Sequence, residues 1–260
     1  MDYLINYKIN KMRKSFWEIV DEVIKMSDII LEVVDSRFPL ESRNNELEDK
    51  VKKAKKKLII VLNKCDLVSK DLMDELKKQI PNSVFVSSKI NYGTTILRKM
   101  ILSEAKNKEI TAGVVGYPNT GKSSLINMLK HVSAAKTSNQ SGFTKRKQQI
   151  RIDNKIILID TPGVLQYKEK DESKLVLLNA KSASQVKEPE IPAMEIIILF
   201  KNKNPSTFEK YYGIKIKEDV YETLEEIGKK MRKFKKGEEV NINSASKKII
   251  EDWQNGKIIL

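Results

Sequence analysis

The run Gly116-Tyr117-Pro118-Asn119-Thr120-Gly121-Lys122-Ser123 fits the pattern Gly-x-x-x-x-Gly-Lys-Ser, a spacing with a definite physical use. The glycines let backbone N–H groups turn inward around phosphate oxygens. Lys122 then neutralises the β and γ oxygens, and the Ser123 hydroxyl can ligate Mg²⁺. Thr120 and Ser124 complete the phosphate-binding candidates. The run follows the apolar segment Gly113 to Val115 and opens a helical stretch, so strand, loop and helix stand in the required order.

Base identity is decided elsewhere, by Asn63-Lys64-Cys65-Asp66 at the carboxyl end of the apolar run Leu58 to Leu62. A carboxylate there accepts both the guanine N1–H and its exocyclic amine. Adenine offers neither donor and would leave Asp66 desolvated and unpaired, a mismatch worth about 10⁴-fold by analogy with other polar-readout sites. Ser87-Ser88-Lys89, after the run Val84 to Val86, can support the base through backbone N–H groups. Asp160-Thr161-Pro162-Gly163 follows Ile156 to Ile159, where a water-bridged Mg²⁺ carboxylate and a γ-phosphate-sensing N–H from Gly163 are needed. Thr144, in Ser141-Gly142-Phe143-Thr144, is the candidate for the second protein ligand of Mg²⁺.

These residues need elements to hold them. Six strands are predicted: Ile29 to Val34, Leu58 to Leu62, Val84 to Val86, Gly113 to Val115, Lys147 to Ile152 and Ile156 to Ile159. Helical stretches lie between most of them, near Met12 to Met26, Asn44 to Lys55, Lys70 to Gln79, Thr94 to Lys106 and Lys122 to Leu129. Such crossovers imply an α/β fold, a doubly wound, mostly parallel six-stranded P-loop sheet. Only Asp153 and Asn154 separate the last two strands, so these form a hairpin and one strand is antiparallel. After Leu165 the strand signal stops. Helical stretches follow around Ser173 to Ala183, Ala193 to Lys201, Ser206 to Tyr211, Glu218 to Met231 and Ser244 to Trp253, with Pro189, Pro192 and Pro205 expected between them. The expected division is residues 1–170 for the nucleotide domain and 171–260 for an all-helical carboxyl-terminal domain. Trp17, Trp253 and the pair Tyr211-Tyr212 read as core or domain-contact aromatics.

With 260 residues, 32% charged and 40% hydrophobic, disorder is disfavoured and one or two domains are expected. A single cysteine, Cys65, rules out an intrachain disulfide and a multi-cysteine zinc site, which points to a reducing cytosol. The longest apolar runs fall far short of the roughly 20 residues of a membrane span. Met1 to Asn10 shows no signal-peptide pattern, so a cytoplasmic protein is expected. Basic residues exceed acidic ones by 14, with 32 against 20 over residues 1–170 and 17 against 15 over the rest. That balance favours a polyanionic partner such as nucleic acid. Codon bias or a hot habitat is the competing explanation for the lysine content, but six basic residues crowd Lys229 to Lys236.

Taken together, the five motifs resemble those of the translation-factor-like GTPases in rotated order: guanine motifs first, then the phosphate loop, then the switches. That order marks the circularly permuted GTPases. Glu32-Val33-Val34-Asp35-Ser36-Arg37-Phe38-Pro39, followed by Ser42-Arg43-Asn44, resembles the amino-terminal signature of their ribosome-assembly branch, the YlqF/RbgA type. The likeness covers most of the chain from about residue 11 and is strongest between residues 28 and 165. It implies a Mg²⁺-dependent factor that binds GTP and GDP, engages an immature large ribosomal subunit and its rRNA, and leaves after hydrolysis; a monomer is the default expectation. A steep salt dependence of binding would follow. Lys122, Thr144 and Gly163 would serve the hydrolytic step.

Val164 stands where small GTPases carry a water-positioning glutamine, and no histidine occurs in residues 1–27 to replace it. His131, at the end of the phosphate-loop helix, reads as a surface residue. Water activation is then left to the ribosome, to the substrate phosphate or to a monovalent cation. Asn119 resembles the asparagines that ligate K⁺ in cation-stimulated GTPases. Slow intrinsic turnover, on the order of 10⁻⁴ to 10⁻² s⁻¹, is expected. Two other readings stand beside this one: a GTP-sensing RNA-binding module with little hydrolysis, and a GTPase acting on transfer RNA or a membrane surface. The lack of an amphipathic anchor or lipidation motif disfavours the membrane.

Overall fold

A computed structural model of the chain describes residues 17–106, 108–133, 148–161, 171–235 and 238–260. Two compact units divide it, Met1–Lys168 and Glu169–Leu260. The first is built on strands β1 (Ile29–Asp35), β2 (Lys57–Asn63), β3 (Ser83–Phe85), β4 (Ile110–Val115), β5 (Gln148–Arg151) and β6 (Ile156–Asp160). They form one sheet in the order β3-β2-β1-β4-β6-β5. Every neighbouring pair is parallel except β5 with β6. That hairpin closes on Asp153, whose Oδ1 accepts the N–H groups of Lys155 at 2.7 Å and Ile156 at 3.0 Å. The side chain thus supplies the turn that the Asp-Asn pair predicts.

The long apolar runs of β1 and β2 arise because both faces of the sheet are covered. Ile29, Leu31 and Val33 pack with Leu97 and Ile101 of α4 (Thr94–Glu104) and Leu125, Ile126 and Leu129 of α5 (Lys122–Ser133). On the other face Ile30 meets Val20, Val23 and Ile24 of α1 (residues 17–26) and Leu47 and Val51 of α2 (Asn45–Lys53). Helix α3 (Lys70–Gln79) joins β2 to β3. Side-chain oxygens of Asn44 and Ser69 cap α2 and α3 at their first turns. All six expected strands form. The strand predicted from Gly113 starts three residues earlier, at Ile110, because backbone pairing with β6 extends past the apolar core of the run.

The second unit is helical: α6 (Glu172–Leu177), α7 (Glu190–Lys203), α8 (Pro205–Tyr212), α9 (Val220–Lys230) and α10 (Ile242–Gln254). Phe200, Phe208 and Trp253 are buried at its centre, Phe200 with ring centroids 5.2 Å from Phe208 and 6.0 Å from Trp253. The Trp253 Nε1–H donates to the Leu177 carbonyl at 3.0 Å. Two expectations are corrected here. The stretch Ser173 to Ala183 is no single helix: Asn179 turns left-handed at φ 60°, and a separate 3₁₀ turn, Ala183–Gln185, starts from the Ser182 capping box. Pro192 and Pro205 lie inside α7 and α8 rather than between helices, in the first turns where their missing N–H groups would have had no helical partner. Tyr212 is buried, whereas Tyr211 remains exposed. Among the described residues no helix is long and apolar enough to cross a membrane.

Candidate functional site

The chain winds from β1 outward through β2 to β3, and from β4 to the opposite edge. A crevice therefore opens at the carboxyl ends of β1 and β4, the switch point where such sheets take their ligands. The loop from Gly116 to Lys122 lies there. Gly116 runs at φ 141°, and a methyl group on it would stand 2.3 Å from the Val33 carbonyl oxygen. Gly121 runs at φ 95°, with a methyl position 2.2 Å from Asn63 Nδ2. Both positions demand glycine by conformation and by space. Asn119, between them, is left-handed at φ 57°, which asparagine tolerates better than most residues. The buried Lys122 ammonium donates to the carbonyls of Gly116 at 3.1 Å and Tyr117 at 2.7 Å. Burial pushes its pKa down to about 8, against the opposing charge of Asp160. Arriving phosphates would favour the protonated form of this side chain. Thr120 is buried too, its hydroxyl bonded to the Tyr117 carbonyl at 3.0 Å, so it braces the loop from inside. Ser124 is exposed on the first turn of α5.

Ser123 and Asp160 come from different elements and meet: the Ser123 hydroxyl donates to Asp160 Oδ2 at 3.2 Å. A hydroxyl and a carboxylate are the hard oxygen donors that Mg²⁺ takes at a phosphate, so the pair fits the ion. Thr161 locks the end of β6, its hydroxyl bonded to the Val114 carbonyl at 2.8 Å. Thr144, Gly163 and Val164 lie outside the described residues.

On the base side, Asn63 acts as a clamp. Its Nδ2 donates to the Thr120 carbonyl at 2.8 Å, and its Oδ1 accepts from Ser88 N–H at 3.3 Å and the Ser88 hydroxyl at 3.1 Å. One side chain thereby joins the guanine motif, the phosphate loop and the loop after β3. Asp66 is oriented by the Ser87 hydroxyl, which donates to Oδ1 at 2.6 Å while accepting from Ile90 N–H at 3.3 Å. A backbone bridge between Ser87 and Tyr92 holds this loop, and Lys89 is exposed at its tip.

Lys64 is the left-handed residue of its motif, at φ 60°. Its Nζ reaches back to Asp35 Oδ2 at 2.9 Å, although burial lowers its pKa. The same carboxylate takes Arg37 in a two-pronged pair, Nε to Oδ1 at 3.0 Å and a terminal nitrogen to Oδ2 at 2.8 Å. Burial alone would raise the Asp35 pKa, but Arg37 and Lys64 together hold it well below the usual carboxylate range. Asp35 and Arg37 had no role assigned beyond their place in the amino-terminal signature. The signal that could have found them was an aspartate closing a strand whose every position is buried. Glu32, in the middle of that strand, is fully buried. Its Oε1 accepts the Asn44 N–H at 2.7 Å, and Oε2 has no hydrogen-bond partner among the described residues. Burial, with Glu48 nearby, pushes its pKa up to about 8. His131 is exposed in the last turn of α5, in line with the surface reading. Cys65 is buried, and burial followed by Asp66 raises its thiol to about 11, which leaves it unreactive.

Sheet order, phosphate loop and base clamp define a circularly permuted P-loop GTPase, in which the base motif leads the chain and the Asp160 segment comes last. The chain belongs to that family: the RsgA GTPase family model matches residues 29–169, more than half of it. A second model, described as a 50S ribosome-binding GTPase, matches residues 111–236, starting in β4. The uncharacterized GTP-binding protein MJ1464 of Methanocaldococcus jannaschii is 43% identical over 245 residues, 93% of this chain and 65% of its own length. Nucleolar GTP-binding protein 2 of Saccharomyces cerevisiae is 33% identical over 94% of this chain and 52% of its own. The chain thus spans between half and two thirds of these relatives. In fold it is similar to the crystal structure of YlqF from T. maritima, with a TM-score of 0.65, 24% identity and coverage of 92% of this chain and 93% of that one.

Proposed function

We propose that the chain is a Mg²⁺-dependent GTP-binding and GTP-hydrolysing factor acting in assembly of the large ribosomal subunit. The observation that carries this reading is the Asn63 clamp, which puts a carboxylate suited to guanine and a loop suited to phosphates on one rigid frame. Asp66 would read the base, with Ser87, Ser88 and Lys89 beside it. Gly116, Asn119, Thr120, Gly121, Lys122, Ser123 and Ser124 would hold the phosphates. Ser123 and Asp160, joined by Thr144, would hold Mg²⁺, which when bound neutralises charge on the β and γ oxygens. Lys122 would stabilise the charge that develops on the transferred phosphoryl group. Asn119 is the proposed K⁺ ligand.

In this reading residues 1–170 form the GTPase domain and residues 171–260 an RNA-binding domain. The exposed residues Lys229, Lys230, Arg232 and Lys235, with the exposed Phe234 among them, support that role for the second unit. Eight residues, 164–171, separate Gly163 from α6. Engagement of Thr144 and Gly163 by GTP would therefore bias the position of the helical domain, and hydrolysis would release it. The protein would act as a cytoplasmic monomer. The curated relatives include proteins named as nucleolar GTPases, which supports a role in ribosome biogenesis.

The test is GTP hydrolysis in KCl and in NaCl, with and without large ribosomal subunits. Stimulation by the subunit is expected, and a K⁺ preference should vanish in Asn119→Ala. Tight GTP binding with no stimulation in either salt would overturn the hydrolytic reading. It would favour the GTP-sensing RNA-binding module, which Val164 and the lack of a histidine in residues 1–27 support.

A further inference from the structure

Among the described residues of the first unit, a group of exposed lysines gathers at one place. Ile29 lies level with Lys57 and with Ala112, Ile110 with Ile156, and Ile60 with Ser83. The starts of the five parallel strands therefore share one edge, opposite the strand ends at Asn63, Val115 and Asp160 that carry the site. Helices α1 to α4 also end at that edge. Five lysines fall within residues 51–57 alone. Lys53 and Lys55, Lys78 at the end of α3, Lys106 and Lys108 in the connection to β4, and Lys155 in the hairpin turn are all exposed there.

Acids at the same edge have other partners. Glu104 meets Lys57 at 3.5 Å, Glu109 meets Arg151 at 2.6 Å, Asp153 pairs with Arg98, and Asp28 accepts the Thr111 N–H at 2.8 Å. The six exposed lysines make no ion pair among the described residues. The negative ends of helix dipoles account for Lys53 and Lys78. They do not account for Lys108 and Lys155, which lie outside any helix.

Such an edge fits a polyanion, and its chemistry selects among them. From β3 to β6, four inter-strand spacings of about 4.8 Å spread the charges over roughly 19 Å, enough to meet a run of successive phosphates. Exposed aromatics are what single-stranded RNA would stack on. Among the described residues these lie elsewhere: Tyr92 follows β3, and Tyr211, Tyr221 and Phe234 belong to the second unit. Met26 is, among the described residues, the one large apolar side chain exposed near the edge, too little to insert into a lipid surface. We propose that this lysine edge docks on the phosphate backbone of double-helical RNA and leaves the nucleotide loops on the opposite edge open. This rests on the ribosomal reading above and adds a second RNA contact to that of the helical unit.

The test compares the full wild-type chain with Lys53→Gln/Lys55→Gln/Lys78→Gln/Lys108→Gln. Binding to a blunt RNA duplex, to oligo(U) and to phosphatidylglycerol vesicles is measured by fluorescence anisotropy and co-sedimentation at several KCl concentrations. The wild type should prefer the duplex. The variant should bind it at least about 10-fold more weakly, with the slope of log K against log salt flatter by about 3 to 4 and GTP affinity kept within about twofold. An unchanged slope, a preference for oligo(U), or loss confined to vesicles would overturn the inference. A second variant, Lys229→Gln/Arg232→Gln/Lys235→Gln, separates the two ideas. If it alone loses duplex binding, the edge has no role and the ribosomal reading stands. If the wild type binds neither duplex nor large subunits, both fail.

Discussion

At the scale of single residues, the candidate site is a set of side chains each holding one other loop in place. Asp66 already has one oxygen on the Ser87 hydroxyl at 2.6 Å, so its carboxylate is oriented before any base arrives. Asp66→Asn keeps an acceptor for Ser87 but removes the charge and one acceptor from the guanine edge. GTP affinity should fall roughly 100- to 1,000-fold, as the loss of charge-assisted hydrogen bonds implies. Affinity for ATP should not change, and competition against a fluorescent nucleotide checks both.

Glu32 carries a prediction of a different kind. Its pKa is raised in the folded chain to about 8 from an ordinary 4.5, so folding is favoured by protonation. Relative to acid solution, stability is lost as pH rises from about 4.5 to about 8 and stays lost above that. Glu32→Gln keeps an acceptor for the Asn44 N–H and has no proton to lose. It should be more stable than wild type by about 2–4 kcal/mol at pH 8, a gain that shrinks to nothing near pH 4.5, since each pH unit crossed between the two values contributes at most about 1.4 kcal/mol. Urea unfolding across that range measures it. A constant difference between the two proteins would show that Glu32 does not titrate there.

At the scale of elements, what matters is how closely the phosphate loop approaches β1 and β2. Gly121 sits at φ 95°, and its methyl position is 2.2 Å from the Asn63 amide. Gly121→Ala must therefore strain the loop and push apart the clamp to Thr120 and Ser88. The strain should destabilise the first unit by about 1–3 kcal/mol, and GTP affinity should fall by about 100-fold, as seen by calorimetric titration. If the Ala variant bound GTP like wild type, the clamp would not be what presets the loop. The Asp35, Arg37 and Lys64 group belongs to this scale as well. It ties the end of β1 to the left-handed turn after β2, where a lysine at φ 60° would otherwise be free to move.

For the molecule as a whole, the two units have separate cores: the sheet between its helices, and the Phe200, Phe208 and Trp253 cluster. Trp253→Ala removes the largest fully buried side chain and its bond to the Leu177 carbonyl. The helical unit should lose about 3–5 kcal/mol. GTP binding by the first unit should persist if residues 1–170 are a domain in their own right. Scanning calorimetry with and without GTP reads this directly: a GTP-shifted transition that survives supports two domains, and its disappearance would show that the site needs the second core.

Much of this was legible in the sequence alone, because local physics writes it there. Strand runs, the Asp153-Asn154 turn, the bounds of α3 and the Gly-x-x-x-x-Gly-Lys-Ser loop depend on neighbours a few residues apart. So does the rotated order of the motifs, which pointed to the family without any tertiary contact. What a side chain does across the fold was not legible. Asn63 reads as a base-motif residue, yet its contacts are with residues 25 and 57 positions away. The orphan oxygen of Glu32 could not be foreseen either, since a lone acid in a strand gives no sign of which face it takes or what covers it. The break at Asn179 likewise needed the packing around Trp253 and Leu177 to override a helical pattern. Pairing across the sheet also decided which lysines share an edge. Sequence could count the positive charges, but only the register of the strands gathers them opposite the nucleotide loops.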